Sequence, residues 1–186
     1  MELLLHTCCA PCLIYPLEVL RKAGFKVTGF FYNPNIHPFA EYLRRKEALA
    51  VLNPGIELIY PEYSPREFFQ LVNLNEEAPQ RCSLCWRERL KKTAQSARAA
   101  GFKYFTTTLL VSPYQDHEVL RKIAADIADK TDIKFHYEDY RRGFKGSIEK
   151  AKLKGIYLQN YCGCIFSKEE RSEKRAGRIK DKEKKT

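Results

Sequence analysis

Seven cysteines occur in three short segments of this 186-residue chain. The segments contain Cys8, Cys9 and Cys12, then Cys82 and Cys85, and finally Cys162 and Cys164. Thiols separated by no more than two residues can converge on one metal ion, one cluster or one redox disulfide, whereas scattered cysteines are more often small core residues. The spacing therefore predicts a metal-binding or thiol redox site.

Three chemistries are consistent with this spacing. Two C-x2-C pairs, from Cys9 to Cys12 and from Cys82 to Cys85, are typical of a four-cysteine zinc site. The first pair alone, at the start of a helix, is typical of a redox dithiol. An iron-sulfur cluster takes about four thiolates from separate segments and leaves another pair for a second centre or an exchangeable disulfide. Only the cluster uses nearly every cysteine, and the residues alone leave all three open.

The charge of the chain indicates a polyanionic partner. The formal net charge is +10, and residues 168–186 hold nine Lys or Arg against five Asp or Glu. This segment has few apolar residues to bury, so we expect a basic C-terminal tail that is a solvated helix or disordered. Residues 1–167 have the length and composition of one well-packed globular domain, and we expect them to form a single α/β catalytic domain. A basic excess of this kind suits phosphate binding.

The expected location is cytoplasmic. Glu2 stands where a signal peptide would carry basic residues, and the apolar run ends after three leucines. No apolar stretch has the length of a membrane span, so we expect no membrane contact. An odd number of cysteines also fits reduced thiols better than a set of structural disulfides.

Predicted strands and helices alternate along the chain. The strands are 2–6, 26–32, 56–60, 104–110 and 133–137, and the helices are 11–23, 39–52, 64–74, 85–100 and 112–129. Strands separated by helices predict a mostly parallel sheet with helices on both faces.

This order predicts where the chemistry takes place. Sites in open parallel sheets form beyond the carboxyl ends of the strands, where Cys8, Cys9 and Cys12 follow strand one. The segment 112–116 follows strand four and should share that rim. Ser112 is the predicted N-cap of the next helix, with Gln115 completing a capping box. Asp116 is either a favourable charge in the first helical turn or a metal ligand beside the thiols.

Five segments together carry a resemblance. They are LLHTCCAPC (4–12), FYNPNIHP (31–38), RCSLC (81–85), SPYQDH (112–117) and YCGC (161–164). In this order they resemble the QueH-type epoxyqueuosine reductases, over nearly the whole of residues 1–167. The resemblance implies a HUP-like α/β fold, related to the PP-loop ATPases, with a cysteine-rich metal site at the carboxyl ends of the strands. It also implies reductive removal of the epoxide oxygen from epoxyqueuosine at the wobble position of tRNA, which gives queuosine and water.

The resemblance also implies roles for individual residues. It assigns Cys8, Cys9, Cys82 and Cys85 to a [4Fe-4S] cluster, and Cys162 and Cys164 to a redox-active pair. A second, mononuclear metal, iron, is implied on two cysteines and a carboxylate, for which Asp116 is the candidate. Cys12 lies near the same rim, and the partition of the seven thiols between the two centres is left open. Asp116, His117 and Tyr114 are the candidate proton donors.

The implied partner is tRNA carrying epoxyqueuosine, with an electron donor that the sequence does not identify. The basic residues expected to contact its phosphates are Arg44, Arg45, Lys46, Arg87, Arg89, Lys91, Lys92, Arg141, Arg142 and the tail. Two other functions remain as alternatives. One is a cytosolic dithiol/disulfide oxidoreductase that uses Cys9 and Cys12, and the other is a zinc-stabilised tRNA-binding module.

Overall fold

The computed structural model describes the backbone of residues 1–183 and the side chains of residues 1–177. Its strands are β1 (Glu2–His6), β2 (Lys26–Phe30), β3 (Leu58–Ile59), β4 (Tyr104–Thr107) and β5 (Lys134–Phe135). Its α-helices are α1 (Ala10–Lys22), α2 (Phe39–Leu52), α3 (Pro65–Val72), α4 (Gln80–Ala99), α5 (His117–Thr131), α6 (Phe144–Leu153) and α7 (Ile165–Glu183), with 3-10 turns at Thr108–Val111 and Arg141–Gly143.

All five strands are parallel, in the order β3-β2-β1-β4-β5. The central strand β1 pairs Leu5 with Gly29 of β2 on one side and with Thr106 of β4 on the other. The chain leaves β1 toward β2 and later crosses to the opposite side for β4. A crevice therefore opens beyond the carboxyl ends of β1 and β4, where ligands bind in such sheets.

Helices cover both faces of the sheet, as predicted. Leu3 and Leu5 of β1 pack on one face, in a cluster with Leu13 of α1 and Leu49 of α2. Leu4, between them, packs on the other face among residues of α4 and α5. Successive side chains of a strand point to opposite faces, so the run of three leucines fills both layers.

Helix α5 begins later than the sequence predicts. The expected cap at Ser112 is wrong: residues 112–116 form a turn, and the helix begins at His117 with Asp116 as its N-cap. The Asp116 side chain accepts a hydrogen bond from the Val119 N–H at 3.0 Å. This backbone N–H lies in the first turn of the helix and has no acceptor within the helix itself. Strand β4 also ends at Thr107, three residues earlier than expected, because residues 108–111 turn into a 3-10 helix.

Helix α4 begins earlier than the sequence predicts, at Gln80 instead of Cys85. Both Cys82 and Cys85 therefore lie in its first two turns, on a rigid element. Helix α7 runs continuously across residues 167 and 168, and the predicted division between a domain and a tail stays a prediction. The last three residues of that tail, 184–186, lie outside the described residues. None of the helices within residues 1–183 has the length and apolar character needed to cross a bilayer.

Candidate active site: buried thiols around two arginines

Cys8, Cys9 and Cys12 form a compact sulfur group between β1 and α1. Their sulfur atoms all lie within 4.8 Å of one another, and the Cys8 and Cys9 Sγ atoms are 3.7 Å apart. Within residues 1–177 this is the one group of three or more potential ligand side chains that is compact enough to hold a metal ion. Ala10 and Pro11 start α1 immediately after Cys9, so the turn into the helix brings the Cys12 sulfur back toward the loop.

Two side chains from remote parts of the chain hold this group. The Thr108 hydroxyl, just beyond β4, accepts from the Cys8 N–H at 3.1 Å and donates to the Cys8 sulfur at 3.3 Å. The Gln159 side-chain N–H donates to the Cys9 sulfur at 2.8 Å. The loop after β4 and the segment before the third cysteine pair therefore both meet the first sulfur group.

The three sulfurs have different acidities. Hydrogen bonds from Cys12 and Cys9 hold the pKa of Cys8 well below its usual range, with further support from the charge of Arg89 and the Thr108 hydroxyl. Burial raises the pKa of Cys9, and the hydrogen bonds to Cys8 and Cys9 raise the pKa of Cys12. The group is therefore best described as one thiolate on Cys8 solvated by two thiols. A thiolate is the form that binds metals and attacks electrophiles.

The other four cysteines approach one another on the α4 side of the crevice. Cys85 and Cys164 are both buried in a small apolar cluster with Phe68 and Val72 of α3. Burial raises the pKa of Cys85 to about 12, and the charges of Cys162 and Cys164 oppose its ionisation further. Burial also raises the pKa of Cys82, to which Cys164 adds. The second and third cysteine pairs therefore share one electrostatic environment.

Arg89 connects the three cysteine segments. Its side chain is buried, with 2% exposed, and it donates to Asn33 Oδ1 at 2.7 Å and to His6 Nε2 at 3.2 Å. Its Nη1 lies 4.0 Å from the Cys85 sulfur, and its charge also favours the thiolate form of Cys8. No carboxylate of residues 1–177 is within ion-pair distance of this guanidinium. Since a buried charge needs a counter-charge, the thiolates are its natural partners.

His6 orients Arg89 and stays neutral. Burial, with the charge of Arg89, lowers the pKa of His6 to about 3. The His6 Nδ1 lies 2.8 Å from the Thr107 hydroxyl oxygen, and Nε2 lies 3.2 Å from both the Arg89 Nε and the Tyr32 carbonyl oxygen. These contacts link the ends of β1 and β4 to the guanidinium.

The Arg45 side chain holds the backbone of the third cysteine pair in place. The side chain is 2% exposed, forms an ion pair with Glu41 at 2.8 Å, and donates to the carbonyls of Cys162 at 2.8 Å and Tyr161 at 3.1 Å. The backbone of Gly163 has a φ of +149°, a conformation that favours glycine, and a Cβ there would lie 3.0 Å from Asn35 Nδ2. The turn between the two cysteines is therefore closely packed.

The expected role of Arg45 and Arg89 as surface contacts to RNA phosphates is wrong, because both side chains are buried. The sequence did not identify either arginine as a site residue, although it contained a signal for Arg89. Cys82, Cys85 and Arg89 are spaced i, i+3 and i+7, which places them on one face of α4. A cation on the same face as two thiols of a helix indicates a polar site.

The candidate proton donors lie at the start of α5. Asp116 is exposed and caps the helix, and it does not join the compact sulfur group. His117 is buried, and neither ring nitrogen has a hydrogen-bond partner within residues 1–177. Burial and the charge of Arg141 lower the pKa of His117. Tyr114 is 82% exposed. Their catalytic and metal-binding roles stay predictions.

Several buried polar atoms near the third cysteine pair have no partner within the described side chains. They are Asn35 Oδ1, both ring nitrogens of His37, and Gln159 Oε1. The His37 ring is stacked on Phe69 with centroids 4.6 Å apart, and its backbone N–H donates to the Gly163 carbonyl at 2.8 Å. Buried polar groups are normally satisfied, so these atoms fit a site that binds a polar ligand. The thiols beside them fit a thiophilic metal such as iron or zinc.

Comparison with known proteins identifies relatives over nearly the whole chain. A family model described as epoxyqueuosine reductase QueH matches residues 3–170. A protein of Dehalococcoides mccartyi named epoxyqueuosine reductase QueH is 40% identical over 173 residues, which cover 91% of this chain and 94% of that protein. A protein of Thermotoga maritima with the same name is 39% identical over 183 residues, covering 93% of each chain.

One solved structure shares the fold. It is described as a predicted subunit of tRNA methyltransferase from Methanocaldococcus jannaschii, and it covers 82% of this chain and 76% of its own with a TM-score of 0.56. At 11% identity the likeness concerns the fold alone. The HUP-like α/β fold expected from the sequence is confirmed, with the first cysteine group at the carboxyl end of a strand.

Proposed function

Because this chain belongs to the epoxyqueuosine reductase QueH family, we propose that it reduces epoxyqueuosine to queuosine at the wobble position of tRNA. The reaction breaks both C–O bonds of the epoxide, forms a C=C bond and releases the oxygen as water, so it consumes two electrons and two protons. The electrons come from a donor of unknown identity. Free thiols and a tRNA substrate suit the cytoplasm, where we place the reaction.

The gathering of thiols around Arg89 is the observation that supports this proposal most. Cys8, Cys9 and Cys12 form a compact group beyond β1, Arg89 lies against Cys85, and Cys162 and Cys164 lie near enough to Cys85 to influence its ionisation. Of these sulfurs, Cys8 has a lowered pKa. A binding domain needs only a closed zinc site, whereas a reductase needs thiols beside an opening in which a substrate can be held. The unpartnered polar atoms near Gly163 supply such an opening with hydrogen-bonding groups.

We assign the cofactors as follows. Cys8, Cys9, Cys82 and Cys85 hold a [4Fe-4S] cluster, and Asp116 with two cysteines holds a second, mononuclear iron, with Cys12 available to either centre. When bound, these groups supply electrons one at a time and a Lewis acid for the epoxide oxygen. The donor set fits in kind, because all seven thiols are free, three of them already form a compact group, and soft thiolate ligands select such metals.

The protein's own residues position the thiols and supply protons. Arg89 stabilises negative charge on the sulfurs, and Arg45 holds the backbone of Cys162. Oxidation of the Cys162 and Cys164 thiols to a disulfide releases two electrons and two protons, the number that the reaction consumes, and the external donor reduces the disulfide again before the next turnover. His117 and Tyr114 are the groups that deliver protons to the departing oxygen, and Asp116 takes that role only where it does not bind the iron.

Anaerobic turnover tests the proposal. We expect purified wild-type protein with bound iron to convert epoxyqueuosine in tRNA to queuosine when a chemical reductant is supplied. Cys82→Ala, Cys162→Ala and Asp116→Ala should each lower turnover at least 100-fold, an estimate of about 3 kcal/mol in barrier. Ser83→Ala, in the same turn of α4 as two of the cysteines, keeps every thiol and should turn over normally.

Metal content separates the alternatives. Iron with labile sulfide is expected, whereas a colourless protein with one zinc would support the zinc-stabilised tRNA-binding module. Activity that survives removal of all metal and needs only Cys9 and Cys12 would support the dithiol oxidoreductase. Unchanged turnover in Cys82→Ala, Cys162→Ala and Asp116→Ala would overturn the assignment of the site residues.

A further inference from the structure

One face of helix α7 is fixed against the protein body. The Phe166 ring lies under the guanidinium of Arg81, 5.3 Å from ring centroid to Cζ, and packs against the cluster that contains Cys85 and Cys164. One turn later, Glu170 forms an ion pair with the same arginine at 2.6 Å. Residues at i and i+4 share a helix face, so these two contacts fix the rotation of α7 about its axis.

The opposite face of α7 is basic. Lys168 lies two residues from both Phe166 and Glu170, which places it about 200° around the helix from each of them. Arg171 and Arg175 follow Lys168 at i+3 and i+7 and therefore lie on nearly the same side. All three residues are exposed. Within residues 1–177, no carboxylate is within ion-pair distance of Lys168 or Arg171.

We propose that Lys168, Arg171 and Arg175 form a basic strip that docks the phosphate backbone of the substrate tRNA. This inference rests on the proposed function, because it names a surface for the same substrate. The strip begins four residues after Cys164, so a strand bound along it leads to the thiol site.

The dimensions and chemistry of the strip suit a nucleic-acid strand. From Lys168 to Arg175 the helix rises about 10 Å, a length that covers about three phosphates of one strand. Arginine binds phosphate oxygens with two parallel hydrogen bonds, and lysine adds a compact positive charge. The docked face and the basic strip use different residues, so phosphate binding does not disturb the contacts that hold α7.

The alternative is that the basic strip only keeps the protein soluble. Measuring the tRNA affinity of a variant without the strip distinguishes the two roles. In the test variant, Lys168, Arg171 and Arg175 are all replaced by Gln, which favours helix about as well as Lys and Arg. Binding of fluorescein-labelled, unmodified tRNA is measured by anisotropy between 50 and 300 mM salt. We expect an affinity loss of about 10- to 100-fold at 150 mM salt, and a decrease of about 2 to 3 in the slope of log Kd against log salt.

A matched control removes the same charge elsewhere. Lys22 ends α1, and Lys103 and Lys134 stand at the starts of β4 and β5, so all three lie toward the edge of the sheet opposite the thiols, and all three are exposed. Replacing these three by Gln should leave the tRNA affinity and the salt slope within about twofold of the wild-type values. Far-UV circular dichroism and iron content should be the same in both variants, which excludes a folding defect.

The strip and the proposed function can fail separately, because binding of unmodified tRNA needs no turnover. If the wild type binds tRNA without reducing epoxyqueuosine, and the strip variant alone loses affinity, the proposed reaction is wrong and the strip stands. If the strip variant binds tRNA like the wild type, or the control loses as much affinity, the strip is wrong whatever the reaction. Under turnover the strip variant should raise KM and leave kcat unchanged, because its thiols are intact.

Discussion

A buried arginine without a carboxylate partner is costly, and Arg89 is such a residue within the described side chains. Its hydrogen bonds to His6 and Asn33 hold the guanidinium in place, but both acceptors are neutral. The positive charge therefore makes ionised sulfur favourable where burial alone would oppose it. Of the cysteines, it is Cys8 whose pKa is lowered, so this sulfur is the one prepared as a thiolate before any metal arrives.

Replacing Arg89 by Met tests this role. The change leaves Asn33 Oδ1 and His6 Nε2 without their donor, so we expect a loss of about 3 kcal/mol in the free energy of unfolding. We also expect iron content to fall, because the thiolates lose their counter-charge. Chemical denaturation and iron assay measure the two effects. Arg87→Met, an exposed position on the same helix paired with Asp126, should change stability by less than about 1 kcal/mol and keep wild-type iron.

Gly163 gives a second test at the scale of one residue. In Gly163→Ala the new Cβ would lie 3.0 Å from Asn35 and 3.2 Å from Ile36, on a backbone with φ of +149°. We expect a loss of about 2 kcal/mol in stability and slower turnover, because Cys162 and Cys164 are displaced while both thiols remain. Gly146→Ala is the matched control: its Cβ meets nothing within 4 Å, and helix α6 should gain up to about 1 kcal/mol. Equal effects of the two changes would contradict the close packing of the turn.

Sequence reasoning located the thiols and missed the residues that surround them. The cysteines are visible because their clustered spacing is unusual, whereas Thr108 and Gln159 look like ordinary polar residues until the chain folds. Both act through contacts with residues about 100 or more positions away. Such long-range contacts leave no local pattern in one sequence.

At the scale of elements, substitutions at the N-terminus of α5 distinguish two roles of Asp116, which are capping the helix and binding a metal. Asparagine caps a helix about as well as aspartate, so Asp116→Asn should keep the free energy of unfolding within a few tenths of a kcal/mol. Asp116→Ala loses the acceptor for the Val119 N–H and should cost about 1 kcal/mol. The proposed metal role predicts that both variants lose the second iron and turnover. Wild-type iron and turnover in Asp116→Asn would restrict this residue to capping.

Strand β5 gives a prediction on pH. His136, just beyond β5, packs edge-to-face on Phe25 at 4.9 Å, and burial lowers the pKa of its imidazole. The unfolded chain therefore takes up a proton first as the pH falls through about 6.5, and the native state loses stability. His136→Phe keeps the aromatic contact and removes the titration. Urea midpoints at pH 7.5 and 5.5 should differ less for this variant than for the wild type, and equal differences would contradict the prediction.

The elements themselves were largely predictable. The leucine run of β1 and the bounds of α2, Phe39–Leu52, follow the sequence pattern directly. The start of α4 at Gln80 and the whole of α6 were not predicted. Other errors fall at Asp116, where a local cap decides the start of α5, and at the short edge strands β3 and β5. Edge strands carry a weak periodic signal because few residues pair.

At the scale of the whole molecule, the thiol site joins three parts of the chain that are distant in sequence. The loop after β1 and the start of α4 share the main apolar core, α4 and residues 161–164 share a smaller one, and Arg89 and Arg45 add polar contacts. A metal bound by thiols from more than one of these parts acts as a crosslink. It binds the native state more tightly than the unfolded chain, so it stabilises the fold.

Removal of metal should therefore lower the thermal stability of the entire protein. We expect the anaerobic iron-loaded protein to melt at least about 5 °C above chelator-treated protein, which corresponds to about 1 to 3 kcal/mol for a chain of this size. Cys82→Ser with Cys85→Ser removes the α4 contribution, so chelation of this variant should shift its Tm much less. Ser83→Ala, on the same turn, should retain the full shift. Equal shifts in all three proteins would mean that α4 contributes no ligand, and the proposed cluster assignment would then be wrong.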